Sequence, residues 1–275
     1  MALFNRAVTV SLASGFSSSD LFITFNVQKT AKEQSNSCTV TIANLSEQTR
    51  NSIKEIDDVL TLSAGYEEDV GAKVIFTGDV VRIKHNINPP DIITEIECGD
   101  GIKTLRETRA STSYKDGTPA KNVLNELAKK MGLPIREIPE DIDEQYVQGF
   151  SHAGSIRDAI NKVTDRLGLE WSVQNEEIQI LKKGLASKGS AINISFETGL
   201  LEYPEKLDNL RDNLTETQPA PGVRVKTLLN PDLIPGGKIF IEVGEFPGLY
   251  RIDRVSHTGD NRDGEFISEI EAAQL

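Results

Sequence analysis

The sequence predicts a mainly β protein of the α+β class, in which two β-barrel domains flank a small α/β module. Residues 1–104 and 191–275 are rich in short segments where apolar residues alternate, which is typical of strands that bury one face. Residues 105–190 instead carry apolar residues at helical spacing. A strand–turn–strand segment of the first region also recurs near the C-terminus, which favours two copies of one β-domain.

Residues 73–101 are predicted to form two strands joined by a turn at Pro89 and Pro90. The inward positions of the two strands are predicted to be Val74, Phe76, Val80, Val81 and Ile83, followed by Ile92, Thr94, Ile96 and Cys98. Gly78 interrupts the alternation of the first strand and therefore indicates a bulge.

The repeat consists of two matching pairs of segments. Residues 81–85 (VRIKH) recur as residues 253–257 (DRVSH), and residues 93–97 (ITEIE) recur as residues 267–271 (ISEIE). The offsets are 172 residues (81 to 253) and 174 residues (93 to 267), so the second turn is two residues longer. The alternative is that two amphipathic hairpins resemble each other by chance.

The rest of the first region alternates in the same way and includes one short helix. Its other predicted strands contain Val8, Val10 and Leu12; Leu21, Ile23, Phe25 and Val27; Cys38, Val40 and Ile42; and Leu60, Leu62, Ala64 and Tyr66. Ser46 is predicted to cap the helix, Glu47 to lie in its first turn, and Ile53 and Ile56 to form its apolar stripe.

The middle region contains two predicted helices, each followed by a short strand. For the first, Thr118 is the predicted cap, Pro119 the first helical residue and Gly132 the stop. For the second, Ser155 and Asp158 match a capping box, and Gly168 is the stop. The predicted buried faces are Val123, Leu124, Leu127, Ala128 and Met131, then Ala159, Ile160, Val163 and Leu167. The strands follow at Ile135 and at residues 171–173, with Trp171 expected in the core.

The last region returns to strands around one long loop. The predicted strands contain Ile192, Ile194 and Phe196; Val223 and Val225; Ile239, Ile241 and Val243; Tyr250 and Ile252; and the repeated ISEIE segment. Residues 199–222 are polar and are predicted to form a loop, with a helical turn at residues 204–214.

Composition and charge argue against several classes of protein. The 275 residues carry 42 acidic and 30 basic side chains, a net charge of −12, which argues against a protein that grips nucleic acid through its phosphates. Neither a transmembrane span nor a secretory signal is recognisable, so a cytoplasmic site of synthesis is expected. Cys38 and Cys98 fall on inward strand positions and are expected to be core residues; a disulfide requires the two strands to be neighbours.

No pattern in the sequence points to catalysis, a cofactor or a metal. His85, His152 and His257 are far apart and lack the spacing of metal ligands. Asp100, between Gly99 and Gly101, is expected to lie in a turn rather than in an active site. We therefore predict no catalytic, cofactor-binding or metal-binding residues and no enzyme.

Several motifs resemble those of baseplate hub proteins of contractile-tailed bacteriophages. They are IFTGDVV and ITEIECGDG in the hairpin, the SYxxGTP motif at residues 113–119, and residues 228–243 and 248–260 near the C-terminus. The resemblance implies two barrels of the tail-tube type per subunit and a homotrimer with pseudo-sixfold symmetry. Such a ring would adapt the hexameric tail tube to the trimeric central spike, and DNA would pass through it without specific binding.

The resemblance also implies other partners and a location. The expected partners are the tail tube protein, the spike protein, the tape measure protein and the wedge or sheath-initiating baseplate proteins, and the location is the tail baseplate of a virion assembled in the host cytoplasm. Two alternatives are the hub of a phage-like contractile injection device (a tailocin) and a carbohydrate-binding or cell-wall-degrading tail module. The compact middle region carries no lysozyme-like or peptidase-like insertion.

Overall fold

The structure, a computed structural model, describes residues 5–53, 56, 58–68, 71–142, 145–146, 149–207 and 221–275. It confirms the predicted mainly β class, with a large antiparallel sheet. No helix in this described part of the chain is long and apolar enough to cross a membrane.

The first region forms an antiparallel sheet with two short helices. Its strands are β1 (Arg6–Leu12), β2 (Ser17–Ser18), β3 (Ile23–Thr30), β4 (Ser37–Ala43), β5 (Val59–Tyr66), β6 (Gly71–Asn88) and β7 (Asp91–Gly99), and its helices are α1 (Glu47–Ser52) and α2 (Ile102–Glu107). By pairing, the strand order is β3-β4-β7-β6-β5-β1-β2. The predicted hairpin is confirmed as β6 and β7, which are joined at the cis Pro89-Pro90 bond.

The bulge predicted at Gly78 lies elsewhere. Gly78 pairs regularly with Leu60, whereas the register skips Ile75 against β5 and Val81 against β7. Each skipped residue reverses the alternation, so Ile75 is buried while Val74 and Val81 are 45% and 43% exposed, contrary to prediction.

The short helix of the first region begins as predicted but ends early. The Ser46 hydroxyl accepts a hydrogen bond from the Thr49 amide at 3.1 Å, which confirms the cap. Ile53 is buried, but it is already the C-terminal cap, and Ile56 is 63% exposed. The predicted apolar stripe through Ile56 is therefore wrong, because the helix has ended before that residue.

The middle region packs two helices against small sheets. Its elements are β8 (Arg109–Tyr114), β9 (Thr118–Pro119), α3 (Ala120–Met131), β10 (Ile135–Glu137), β11 (Gln145–Tyr146), β12 (Phe150–Ser155), α4 (Ile156–Arg166), β13 (Leu169–Gln174) and β14 (Glu177–Lys182). The predicted apolar faces of α3 and α4 are buried together with Trp171, except that Leu167 is only partly buried. Positive φ angles at Gly132 and Gly168 accompany the predicted helix ends.

The predicted caps of both middle helices are wrong in detail, because the residues before each helix belong to paired strands. Pro119 is the cap of α3 rather than its first residue, and Thr118 lies in β9, where its hydroxyl donates to the Lys115 carbonyl at 2.7 Å. Ser155 does precede α4, but its side chain makes no capping hydrogen bond, so the capping box with Asp158 is wrong. Ser155 is instead the last residue of β12, paired with β8.

The last region extends the large sheet. Its elements are β15 (Ile192–Ile194), a 3₁₀ helix (Phe196–Thr198), β16 (Glu205–Leu207), β17 (Gly222–Leu228), β18 (Lys238–Ile241), β19 (Gly248–Asp260) and β20 (Phe266–Gln274). Contrary to prediction, Phe196 is not a strand residue but lies 48% exposed in the 3₁₀ helix, and Val243 follows the end of β18.

The predicted loop at residues 199–222 is partly strand. β16 pairs with β17, so residues 205–207 are extended and not helical, because the strand satisfies its backbone groups by pairing. The rest of the predicted helical turn, residues 208–214, lies outside the described residues.

Strand β3 joins the two β regions into one sheet. It pairs with β4 on one edge and with residues 254–260 of β19 on the other. The buried apolar residues nevertheless form three clusters that follow the three regions, although Leu229 and Phe266 of the last region pack in the first cluster. The boundaries at residues 104 and 190, and the closure of each β region into a barrel, stay predictions.

A close backbone approach at Gly65 gives a first test of this packing. A Cβ atom there would lie 2.2 Å from the Gly71 carbonyl oxygen, which belongs to the paired strand and cannot rotate away. We expect Gly65→Ala to lower the free energy of unfolding by about 1–3 kcal/mol in urea denaturation. Gly189→Ala is the control, since a Cβ there meets nothing within 4 Å; equal stability of the two variants would contradict the close approach of these strands at Gly65.

Candidate assembly interface

The three histidines stay apart in the fold. His85 Nδ1 lies 3.0 Å from the Thr94 hydroxyl, His152 Nε2 lies 2.8 Å from the Ser155 carbonyl, and His257 Nδ1 lies 2.8 Å from the Ser268 hydroxyl. Within the described ranges, no group of three or more His, Cys, Asp or Glu side chains is arranged to hold a metal ion. The features that stand out are instead buried polar links and exposed strand edges.

The two cysteines face each other across β4 and β7. Cys38 and Cys98 are direct partners in the register, and both are buried free thiols, as expected for core residues. Burial, with a smaller contribution from Asp79, raises the pKa of Cys98 to about 12, so this thiol is protonated at neutral pH.

Asp100 is a buried link between the first and middle regions. It lies in a turn, as predicted, but its carboxylate accepts hydrogen bonds from the amides of Asn175 and Glu176 at 2.6 and 2.9 Å. These amides belong to the tight turn between β13 and β14, where both residues have positive φ. The Asn36 amide group donates to Asp100 at 3.2 Å and to the Val173 carbonyl at 2.8 Å, which completes the link.

Lys29 brings a positive charge into the same junction. Its ammonium donates to the Asn175 side-chain oxygen at 2.6 Å, and the residue is only 4% exposed. Burial lowers its pKa to about 8, an effect that the Asp100 carboxylate opposes. Burial raises the pKa of Asp100, which its three hydrogen-bond donors and Lys29 oppose in turn. Both charges belong to the first region, and they therefore support each other where that region meets the turn between β13 and β14.

Arg251 makes the corresponding link between the middle and last regions. Its guanidinium lies 2.5 Å from the Glu170 carboxylate of β13 and 3.5 Å from the Asp253 carboxylate of β19. Arg251 is 1% exposed, so these two acids take the place of water beside its charge. Its Nε and Nη2 atoms lack well-aligned hydrogen bonds, which makes this an ion pair held by charge and proximity.

The two copies of the repeated hairpin have the same local structure. The register skips Val81 in β6 and Asp253 in β19, which are equivalent at the offset of 172. Arg82 then pairs with Glu97, and Arg254 pairs with Glu271. The repeat found in the sequence is thus a repeat in structure, including its bulge, which favours two copies of one β-domain over a chance resemblance.

Exposed apolar side chains cluster near β15, β16 and β18. Phe196 and Tyr203 make an edge-to-face contact with their ring centroids 5.1 Å apart, and Tyr203 is 66% exposed. Phe240 and Leu249 are cross-strand partners that are 42% and 39% exposed. Such side chains on a β surface are typical of a contact with another protein.

The Asp100 link predicts a specific loss of stability. In Asp100→Asn only one oxygen remains to accept the two turn amides, so one buried donor loses its partner. We expect the free energy of unfolding to fall by about 1–3 kcal/mol. Asp116→Asn, at an exposed turn position, is the control in the same urea titration. Equal stability of the Asp100 variant and the parent would show that the link contributes nothing.

Buried His257 predicts a loss of stability in mild acid. Burial, with Lys29 as a neighbouring cation, lowers the pKa of His257 to about 3, whereas the unfolded chain titrates near the ordinary 6.5. Below pH 6.5 the unfolded state binds a proton that the folded state does not, so stability falls until the pH reaches the folded pKa. Between pH 7 and 4.5 this contribution is about 2–3 kcal/mol.

The measurement compares variants at two positions of β19. His257→Gln should have a shallower fall in unfolding free energy between about pH 7 and 4.5 than the parent chain. Ser256→Ala, at the preceding position, removes no titratable group and should keep the parent's slope. Identical slopes for the parent and His257→Gln would contradict the assignment.

Solved structures with the same fold include tail proteins and a secretion component. A 43 kDa tail protein of prophage MuSo2 from Shewanella oneidensis matches with a TM-score of 0.71 at 7% identity, over 98% of this chain and 97% of that one. The tail protein from Neisseria meningitidis MC58 matches with a TM-score of 0.68 at 10% identity, over 98% and 97% of the two chains.

A third match is the E. coli c3393 protein, a component of the type VI secretion system that is structurally similar to the T4 bacteriophage tail proteins gp27 and gp5. Its TM-score is 0.64 at 10% identity, over 97% of this chain and 76% of that one. At these identities the likeness shows a shared fold. No curated protein sequence matches the chain.

A sequence model of a protein family identifies the chain more specifically than the similarity in fold does. The model described as baseplate hub gp41 matches residues 6–271, which is nearly the whole sequence. This agrees with the resemblance seen in the hairpin and C-terminal motifs, and it supports a structural role in a phage baseplate. The chain belongs to the baseplate hub gp41 family.

Proposed function

We propose that three copies of this chain form a ring that adapts the hexameric tail tube to the trimeric central spike. The observation that carries the proposal is the structural repeat, with its matching bulges and its Arg82–Glu97 and Arg254–Glu271 pairs. Two equivalent sheet units per chain give six units in a trimer, so one face could match six subunits while the ring keeps threefold symmetry.

The proposed role needs contacts rather than a reaction centre. In this role the chain is not an enzyme, and its partners are the tail tube protein, the spike protein, the tape measure protein and wedge or sheath-initiating baseplate proteins. The ring would belong to the virion tail baseplate and assemble in the host cytoplasm. The exposed aromatic pair Phe196 and Tyr203 is a candidate contact surface for one of these partners.

The acidic composition fits a channel that DNA crosses without binding. Three chains carry a net charge of −36 (three times −12), and acidic side chains along the channel would repel the phosphates during ejection. A neutral or basic channel wall in a structure of the ring would contradict this part of the proposal.

A second candidate is the hub of a phage-like contractile injection device. The similarity in fold to a type VI secretion component favours it, since the same adaptor geometry would serve a device that carries no DNA. Capsid genes beside the coding sequence would argue for a phage, and their absence would argue for the injection device.

The mass in solution tests the ring directly. We expect light scattering to give about 91 kDa, three times 30.2 kDa, for the purified chain alone or after the spike protein of the same genome is added. A chain that stays at 30.2 kDa in both samples contradicts the proposal. If that monomer instead bound or cleaved cell-wall sugar, a tail module acting on carbohydrate would replace it.

A further inference from the structure

The repeat extends beyond the hairpins to the strands beside them. Strand β4 pairs with β7 from Ser37↔Gly99 to Ala43↔Ile93, and β17 pairs with β20 from Gly222↔Ala273 to Leu228↔Ile267. Because β7 and β20 are equivalent at an offset of 174, β17 is the counterpart of β4 at an offset of 185 (37 to 222).

The same reasoning makes β16 the counterpart of β3. In the first copy Asn26 lies opposite Thr39, and in the second copy Glu205 lies opposite Arg224. Since Arg224 is equivalent to Thr39 (39 plus 185), Glu205 is equivalent to Asn26, an offset of 179. Each copy of the repeat therefore contains a four-strand unit, β3-β4-β7-β6 and β16-β17-β20-β19.

Inside the chain, the two units are joined by one specific pairing. Strand β3 of the first unit runs antiparallel to residues 254–260 of β19 of the second unit. Asn26 lies opposite Thr258, and its side-chain amide donates to the Thr258 hydroxyl at 2.9 Å.

Among the described strands, the two edges equivalent to this joint are unpaired. Residues 82–88 of β6 pair with β7, but the pairing of β6 with β5 ends at Asp79, which leaves their other edge open among the described strands. Strand β16 stands at the end of the large sheet with β17 as its neighbour. In its described part, each chain thus contains one β3–β19 joint. It also has two open edges that match the two sides of that joint, one on β16 and one on β6.

We propose that β16 of one chain pairs with residues 84–86 of β6 in the next chain, in the register of the joint inside the chain. The proposal rests on the ring proposed above and names the contact that closes it. Carrying Thr258 back by 172 residues gives Asn86, and carrying Asn26 forward by 179 gives Glu205. The same offsets place Lys84, the counterpart of Ser256, opposite Leu207, the counterpart of Gln28.

The side chains at these edges suit one another. Asn86 can donate to the Glu205 carboxylate, as Asn26 donates to Thr258 within the chain. Lys84 lies diagonal to Glu205 in this register, which places opposite charges within reach.

The contact is of the head-to-tail kind that rings require. A β6 edge on one chain meets a β16 edge on the next, and the second chain still has its own β6 edge to offer. Open sheet edges of this kind otherwise invite uncontrolled pairing, and a closed ring removes them.

Disulfide trapping tests the register. The Cα atoms of directly opposed strand residues lie about 4.5–5.5 Å apart, a distance that suits a disulfide. Diagonal positions lie about 7–8 Å apart, which is too far. We expect the full-length double variant Asn86→Cys/Glu205→Cys, oxidised under mild conditions, to give two-chain and three-chain bands on a non-reducing gel and nothing larger. Native Cys38 and Cys98 are buried and face each other within the chain, so they contribute no cross-link between chains.

Three controls use the same chain. Asn26→Cys/Thr258→Cys, the equivalent pair inside the chain, should form its disulfide without any change in chain number. Asn86→Cys/Leu207→Cys is two residues out of register and should remain uncross-linked. A mixture of the two single variants Asn86→Cys and Glu205→Cys should stop at two chains, because each such chain has one usable half of the joint.

The outcomes separate this inference from the proposed function. A trimer by light scattering in which Asn86→Cys/Glu205→Cys gives no cross-link, alone or with the spike protein, overturns the pairing and leaves the ring intact. A ladder beyond three chains overturns closure at three. A monomer in both samples overturns the ring itself.

Discussion

Strand β3 is hydrogen-bonded along both edges, and this double pairing makes one sheet from two repeated units. The contact buries Lys29 on β3 and His257 on β19, so polar side chains lie inside the seam. Lys29 remains there because Asn175 and Asp100 supply an oxygen and a negative charge from the adjoining turns. The seam therefore holds the middle region as well as the two β regions, and the relative placement of all three depends on it.

The buried polar groups give the seam one register. Apolar side chains alone would tolerate a shift of two residues along the strand, because a shift of two keeps the same face buried. The middle region contacts β3 through Lys29 and Asn175, and it contacts β19 through Arg251 and Glu170. Such a shift would therefore break one of these two buried contacts, at a cost of about 1–3 kcal/mol or more.

The sequence predicted the strands and helices that bury one regular face. It did not predict the bulge positions or the long-range polar contacts, which depend on neighbouring strands. Alternation located β1, β3, β4 and β5, and the repeat was visible because both copies keep the same pattern. The bulges lie at Ile75 and Val81 and not, as predicted, at Gly78, because the register against a neighbouring strand fixes the position of a bulge. Lys29 continues the buried positions of β3, which was a signal for a buried charge. Its partner Asn175 lies 146 residues away, and nothing local pointed to it.

The middle region also explains how a ring of six similar units would keep threefold symmetry. Each chain has two sheet units but one middle region, and that region contacts the joint inside the chain through Lys29 and Gln174, whose side chain donates to the Thr30 carbonyl at 2.8 Å. In the joint between chains, Asn86 and Glu205 are the counterparts of the exposed pair Thr258 and Asn26, and the counterpart of Lys29 (29 plus 179) lies outside the described residues. The two kinds of joint would then alternate around the ring. The ring would then contain six comparable sheet units but three middle regions, a combination that suits a place between a sixfold and a threefold partner.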